Sequence, residues 1–164
     1  MTDSRAGHGA AATSTELAPS PVMGEAKGSS ASVRSIRLLL YSDDRATRDA
    51  VRLGVGRRPA RDVEVGSWLE VATPAAVVSA VEAGGFDVLI LDGESSPIGG
   101  LGLTKQLKNE IFECPPILVL IGRPQDGWLA AWSQADLVVP FPLDPVVLSR
   151  SVAELGRRAP ASPA

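Results

Sequence analysis

The chain has 164 residues, 45% of them apolar and 21% charged, with a net charge of -3. That length supports one domain with a real core and not two, and the charge gives no basic footprint of the kind nucleic acid selects. A single cysteine, Cys114, rules out an internal disulfide and a paired-thiol metal site, so it is expected as a small buried residue in a reducing compartment.

No stretch approaches the roughly 18 apolar residues of a membrane span, and the first residues lack the apolar segment of a signal peptide. The cytoplasm is the expected compartment. Residues 1–34 are rich in Ala, Ser, Gly and Pro without an apolar period, and read as a disordered tail. His8, the lone histidine, lies in that tail, so neither a histidine-based catalytic pair nor a histidine-rich metal site is expected in the folded part.

Residues 35–158 alternate regularly between strand-length and helix-length patterns. "SIRLLLYS" is an apolar run of strand length, and Ala46, Ala50, Val51 and Leu53 or Val55 then recur at helical spacing. Trp68, Leu69 and Val71 form a second strand; Pro74 opens the next helix and Gly84-Gly85 stops it. "FDVLILD" is the third strand, followed by a helix with Leu103, Leu107 and Ile111 on one face. "PPILVLIG" is the fourth strand, "QDGWLAAWSQ" the fourth helix, "DLVV" a short fifth strand and "DPVVLSRSVAELGRR" the last helix. Residues 159–164 form a second loose tail. Strands apolar on both faces, alternating with helices, predict a doubly wound five-stranded parallel sheet with helices on both faces. Ligands of such a fold collect at the carboxyl ends of the strands.

The acids stand at those ends. The first strand ends in Ser42-Asp43-Asp44 and the third in Asp92. Converging carboxylates repel unless a cation lies between them, and an all-oxygen site of this kind suits Mg²⁺. An Asp beside a metal is also a competent nucleophile toward phosphorus. The plainer reading of each acid alone is a helix or loop cap.

"YSDD", "LILD", "PILVLIG" and "PLDPVVLSRSV", in that order on five strands and five helices, resemble the CheY-like receiver domain of two-component response regulators. The resemblance spans about Ile36 to Arg158. It implies that Asp92 is the phosphoacceptor, that Asp43 and Asp92 ligate Mg²⁺, and that Glu94 offers the ion a backbone carbonyl, with Asp44 as an acidic neighbour and supplementary candidate ligand. Ser42 stands where the family carries the first acid of its pair. Gly100 falls at a position where the family usually has glycine, and Pro97 lies one residue later than the usual proline. The resemblance also implies a sensor histidine kinase or phosphotransfer protein as donor, a downstream protein partner, and no enzymatic activity of the chain's own.

The positions that report phosphorylation depart from the family. Ile121 replaces the Thr or Ser ending the fourth strand, Val138 the aromatic of the fifth, and Phe141 the Lys before Pro142. An ammonium contact to phosphate worth about 1.5 to 3 kcal/mol is thereby lost. Arg123 and Lys105 are the nearest substitutes, though solvated surface charge is the better reading of both. The Phe141-Pro142 bond is a candidate cis bond, as Lys-Pro is in the family. Trp128 and Trp132, four apart in the fourth helix, share a face; packing against the sheet is the first reading and a partner-binding face the second. The three arginines of "GRRPARD" read as a solvated loop, and no nucleotide-binding glycine pattern is present.

Two functions follow: a single-domain phosphoryl-accepting response regulator without a DNA-binding output domain, or a phosphorylation-independent pseudo-receiver that binds protein. A small flavodoxin-like cofactor binder is a weaker third.

Overall fold

The computed structural model describes residues 32–160; residues 1–31, with His8, and 161–164 lie outside the described residues, and Arg34, counted with the first tail, instead opens a strand. The elements are β1 (Arg34–Tyr41), α1 (Arg45–Val55), β2 (Val63–Val71), α2 (Pro74–Ala83), β3 (Val88–Asp92), α3 (Gly100–Glu110), β4 (Ile117–Ile121), a 3-10 turn (Pro124–Asp126), α4 (Gly127–Ser133), β5 (Leu137–Pro140) and α5 (Pro145–Arg158). All strand pairs are parallel, in the order β2-β1-β3-β4-β5. This is the predicted doubly wound sheet.

Every residue of β3 and β4 is buried, because helices cover both faces and leave no polar side to alternate with. The alternation of side chains sorts the core into two layers. Leu38, Leu40, Val88, Ile90, Leu118 and Leu120 pack with Val51 and Val55 of α1 and Leu148 and Val152 of α5. Leu39, Tyr41, Leu89, Leu91, Val119 and Ile121 pack with Val77 of α2 and Leu103 and Leu107 of α3 on the other face. Leu53, offered by its spacing as a core position of α1, is 86% exposed, and Val55 takes that place.

β2 begins at Val63, earlier than the Trp68 region predicts, and it lies at the edge of the sheet. Its register with β1 slips by one residue, so that Ile36 pairs with Val65 but Arg37 with Ser67. Gly66 is the extra residue of this bulge. The slip reverses which residues face α1: Val63 and Val65 do so before it and Trp68 after it.

The helix ends follow their capping residues. Asp44, Thr73 and Asp144 accept from the first-turn amides of α1, α2 and α5. Gly84 and Gly85 end α2 with φ of 80° and 91°, a region glycine occupies without penalty. At the other end of α5 the packed chain runs past Arg158: Ala159 is buried, and the Arg34 guanidinium donates to the Ala159 and Pro160 carbonyls. No helix among the described residues is long and apolar enough to cross a membrane.

Candidate functional site

Strands β1 and β3 are neighbours, with Tyr41 opposite Leu91, so the residues that follow, Ser42 and Asp92, emerge side by side. Their parity is that of Leu40 and Ile90, which directs them to the α1/α5 side of the sheet. Tyr41, one residue earlier, takes the opposite side and donates its hydroxyl to the Ile98 carbonyl at 2.8 Å. Burial, then the nearby carboxylate of Asp43, raises the Tyr41 pKa, which keeps that hydroxyl a donor.

Asp92 is 3% exposed. Its Oδ2 accepts from the Ser42 hydroxyl at 2.7 Å and its Oδ1 from the Glu94 N–H at 2.9 Å. Among the described residues no Lys or Arg pairs with it. The carboxylate is therefore held by two short donors, retains lone pairs, and has no fixed cation. Gly100, at the start of α3, lets this loop close: a Cβ there would come within 2.8 Å of the Leu91 carbonyl oxygen and 2.9 Å of the Asp92 carbonyl.

The acids of the β1-α1 loop divide their roles. Asp43 is exposed; its N–H donates to Ser95 Oγ at 3.1 Å and its Oδ2 accepts from Ser96 N at 3.2 Å, which ties it to the loop carrying Asp92. Asp44, suggested as a supplementary metal ligand, instead caps α1 through Ala46 N and Thr47 N at 3.1 Å each and Thr47 Oγ1 at 2.8 Å. Those bonds, the Thr47 hydroxyl first, lower its pKa. Arg48 steadies the same loop from α1, donating to the Ser42 carbonyl at 2.6 Å while lying 3.5 Å from Glu70 on β2.

The Glu94 side chain turns onto β4, and its Oε1 accepts from Gly122 N at 3.0 Å. Sequence reasoning credited Glu94 with a backbone carbonyl alone. Among the described residues no three His, Cys, Asp or Glu side chains gather to hold a metal ion. The remaining oxygen set, Asp43, Asp92 and the Glu94 carbonyl, meets the minimum for Mg²⁺, an ion that keeps several waters and takes one or two carboxylates from protein.

At the three substituted positions, Ile121 is 3% exposed and packs with the α2/α3 layer. Val138 packs on that same side, and Phe141 on the α1/α5 side, before a cis bond to Pro142. None of the three presents a polar group. Arg123 and Lys105 do not replace them: Arg123 lies 3.8 Å from Asp126, and the Lys105 ammonium sits 5.5 Å over the Trp132 ring. Contrary to the expectation of packing against the sheet, the two tryptophans of α4 face outward. Trp128 is 68% and Trp132 54% exposed, because Ala130 and Ser133 are the α4 residues that turn inward.

No family model matches the chain. Two proteins from Mycobacterium tuberculosis, of strains CDC 1551/Oshkosh and ATCC 25618/H37Rv, are each 50% identical to it over 127 residues, which is 77% of this chain and 95% of theirs. Both carry the description "uncharacterized response regulatory protein". Among solved structures, the receiver domain of a Francisella response regulator superposes with a TM-score of 0.62 at 15% identity, covering 75% of this chain and 98% of its own. The chemotaxis response regulator CheY4 of Vibrio cholerae gives 0.60 at 18% identity, covering 74% and 98%.

Proposed function

From the premise that the chain belongs to the response-regulator family of two-component systems and carries its receiver domain, we propose that Asp92 is a phosphoryl acceptor. The observation that carries this reading is the state of Asp92, buried to 3% exposure at a strand end, aligned by two donors and without a paired cation. Positioning of this kind supplies much of what phosphoryl transfer requires, since the reaction asks little covalent work of the protein.

In the proposed step an Asp92 carboxylate oxygen forms a bond to phosphorus as the bond from phosphorus to a donor imidazole nitrogen breaks. The product is an acyl phosphate, and the freed imidazole nitrogen keeps the bonding electron pair and takes up a proton. The donor is a sensor histidine kinase or a phosphotransfer protein. Ser42 Oγ and the Glu94 N–H keep the carboxylate oriented during approach. Asp43, Asp92 and the Glu94 carbonyl would hold Mg²⁺, which when bound supplies positive charge for the incoming phosphoryl oxygens.

A second reading, a pseudo-receiver whose partner binding is independent of phosphate, is favoured by the apolar residues Ile121, Val138 and Phe141. A ligand shifts a two-state equilibrium only through contacts that differ between the states, and these side chains offer a phosphoryl group none. Incubation with phosphoramidate and Mg²⁺ followed by intact-mass measurement separates the two readings. A gain of one phosphoryl group that disappears in Asp92→Asn supports the acceptor; no gain from phosphoramidate or from histidine kinases leaves the pseudo-receiver.

A further inference from the structure

Four amides or hydroxyls give their hydrogens to the carboxylates of Asp92, Asp43 and Glu94 at the crevice. Ser42 Oγ and the Glu94 N–H serve Asp92, the Ser96 N–H serves Asp43, and the Gly122 N–H serves Glu94. The acceptors of the first three sit on short, locally held side chains. Glu94 differs: it is exposed, it ends in three rotatable bonds, and it reaches from the β3-α3 loop across to the end of β4.

The place it reaches is shaped for an anionic group. Asp92 stands opposite Leu120 in the register of β3 with β4, and Gly93 N donates to the Leu120 carbonyl at 2.7 Å, so Gly122 lies beside the crevice mouth. A Cβ on Gly122 would sit 2.6 Å from Glu94 Oε1, 2.7 Å from Cδ and 3.0 Å from Oε2. The whole carboxylate therefore rests against the bare glycine, in a space that any side chain at residue 122 would fill.

We propose that the Glu94 carboxylate is a tethered anion that occupies the Gly122 N–H and competes there with a phosphoryl group brought to Asp92. This rests on the reading of Asp92 as acceptor. Two physical effects act in the same direction. An incoming phosphoryl oxygen needs N–H donors at the mouth of the crevice, and the exchangeable one already has a charged acceptor. The Glu94 charge also adds to those of Asp43 and Asp92 in repelling a dianion. Glu94 thus sets how readily the site is modified, and holds the turn after β4 in a liganded arrangement when no phosphate is present.

The test uses Glu94→Gln, Glu94→Ala and Gly122→Ala in the full chain, with two readouts. Phosphoramidate labelling of Asp92, followed by intact mass, should run on the order of fivefold faster in all three, the size of an exposed charge-assisted contact. In ¹H–¹⁵N spectra the Gly122 amide should move in both Glu94 variants, and inorganic phosphate should shift it further in Glu94→Ala but not in the parent. Equal labelling of parent and variants would leave Asp92 an acceptor and overturn the role of Glu94. If no form is labelled, the acceptor reading fails, and the phosphate titration decides the tethered anion separately: a Gly122 amide insensitive to phosphate in Glu94→Ala overturns it.

Discussion

The Ser42 hydroxyl donates to Asp92 Oδ2 across 2.7 Å, with both residues buried and both at the ends of adjacent strands. A neutral hydroxyl here satisfies the acid by hydrogen bonding, where a second carboxylate would require a cation. Ser42→Ala should therefore lower stability by about 1 to 2 kcal/mol, because Asp92 loses a buried donor and the Asp44 N–H loses the Ser42 Oγ acceptor. The check is the urea midpoint with an unchanged slope.

Ser42→Asp reverses the sign of the same relationship. Two neighbouring buried carboxylates should lower the melting temperature in the presence of chelator and recover it with Mg²⁺, since an ion that binds only the folded chain stabilises it by mass action. The parent, with one carboxylate fewer, should gain less from the same Mg²⁺. Melting curves of both proteins with and without the ion decide this, and a parent that gains as much as Ser42→Asp would refute it.

Gly100→Ala places a methyl group against the Asp92 and Leu91 backbone. The loop has to yield, at a cost of roughly 1 to 3 kcal/mol, and Asp92 moves with it. Slower phosphoramidate labelling at unchanged secondary structure by circular dichroism is the expected result.

Asp62, in the turn before β2, holds the Arg157 guanidinium of α5 through Arg157 Nε at 2.7 Å and Nη2 at 2.6 Å. That pairing lowers the Asp62 pKa from 3.8 to about 2. Its stabilising contribution is complete above the unfolded value of 3.8 and is lost as pH falls toward about 2. Arg157→Ala should flatten the acid limb of the stability profile across that window and leave its shape above it unchanged. Because the pair is exposed, added salt should diminish the difference.

Trp128→Ala and Trp132→Ala should each change stability by less than about 0.5 kcal/mol, whereas Leu103→Ala, fully buried in α3, should cost about 2 to 5 kcal/mol. Acrylamide should quench both tryptophans readily in the isolated chain. A protein partner that protects them from quenching would mark α4 as its docking face.

The strands of the centre were legible because burial on both faces leaves an unbroken apolar run, as in "VLILD" and "ILVLI". The start of β2 was not. At the edge of the sheet Val63, Glu64 and Val65 alternate with polar neighbours in a stretch full of arginine, and the pairing that recruits them comes from β1. Asp43 and Asp92 could be placed from strand ends alone, because topology fixes where those ends meet. Spacing put Trp128 and Trp132 on one face without saying which, and that choice falls to Ala130 and Ser133 turning toward the rest of the fold. The Glu94 contact with Gly122 joins residues 28 apart through a side-chain rotamer, and no local pattern encodes it. A glycine directly after an apolar strand was its one trace in the sequence.

The extra residue at Gly66 reaches further than the sheet edge. By re-facing the second half of β2 it brings Glu70 to the side of α1, where Arg52 meets it at 2.8 Å and Arg48 at 3.5 Å. Arg48 in turn grips the carbonyl of Ser42. Were the bulge straightened with Gly66 kept in the ladder opposite Arg37, Glu70 would turn toward α2, releasing Arg48 and slackening the loop that presents a hydroxyl to Asp92. The alignment of the acid is thus governed in part by the pairing register of a strand that never touches it, and a slip of that register would act on the crevice from a distance.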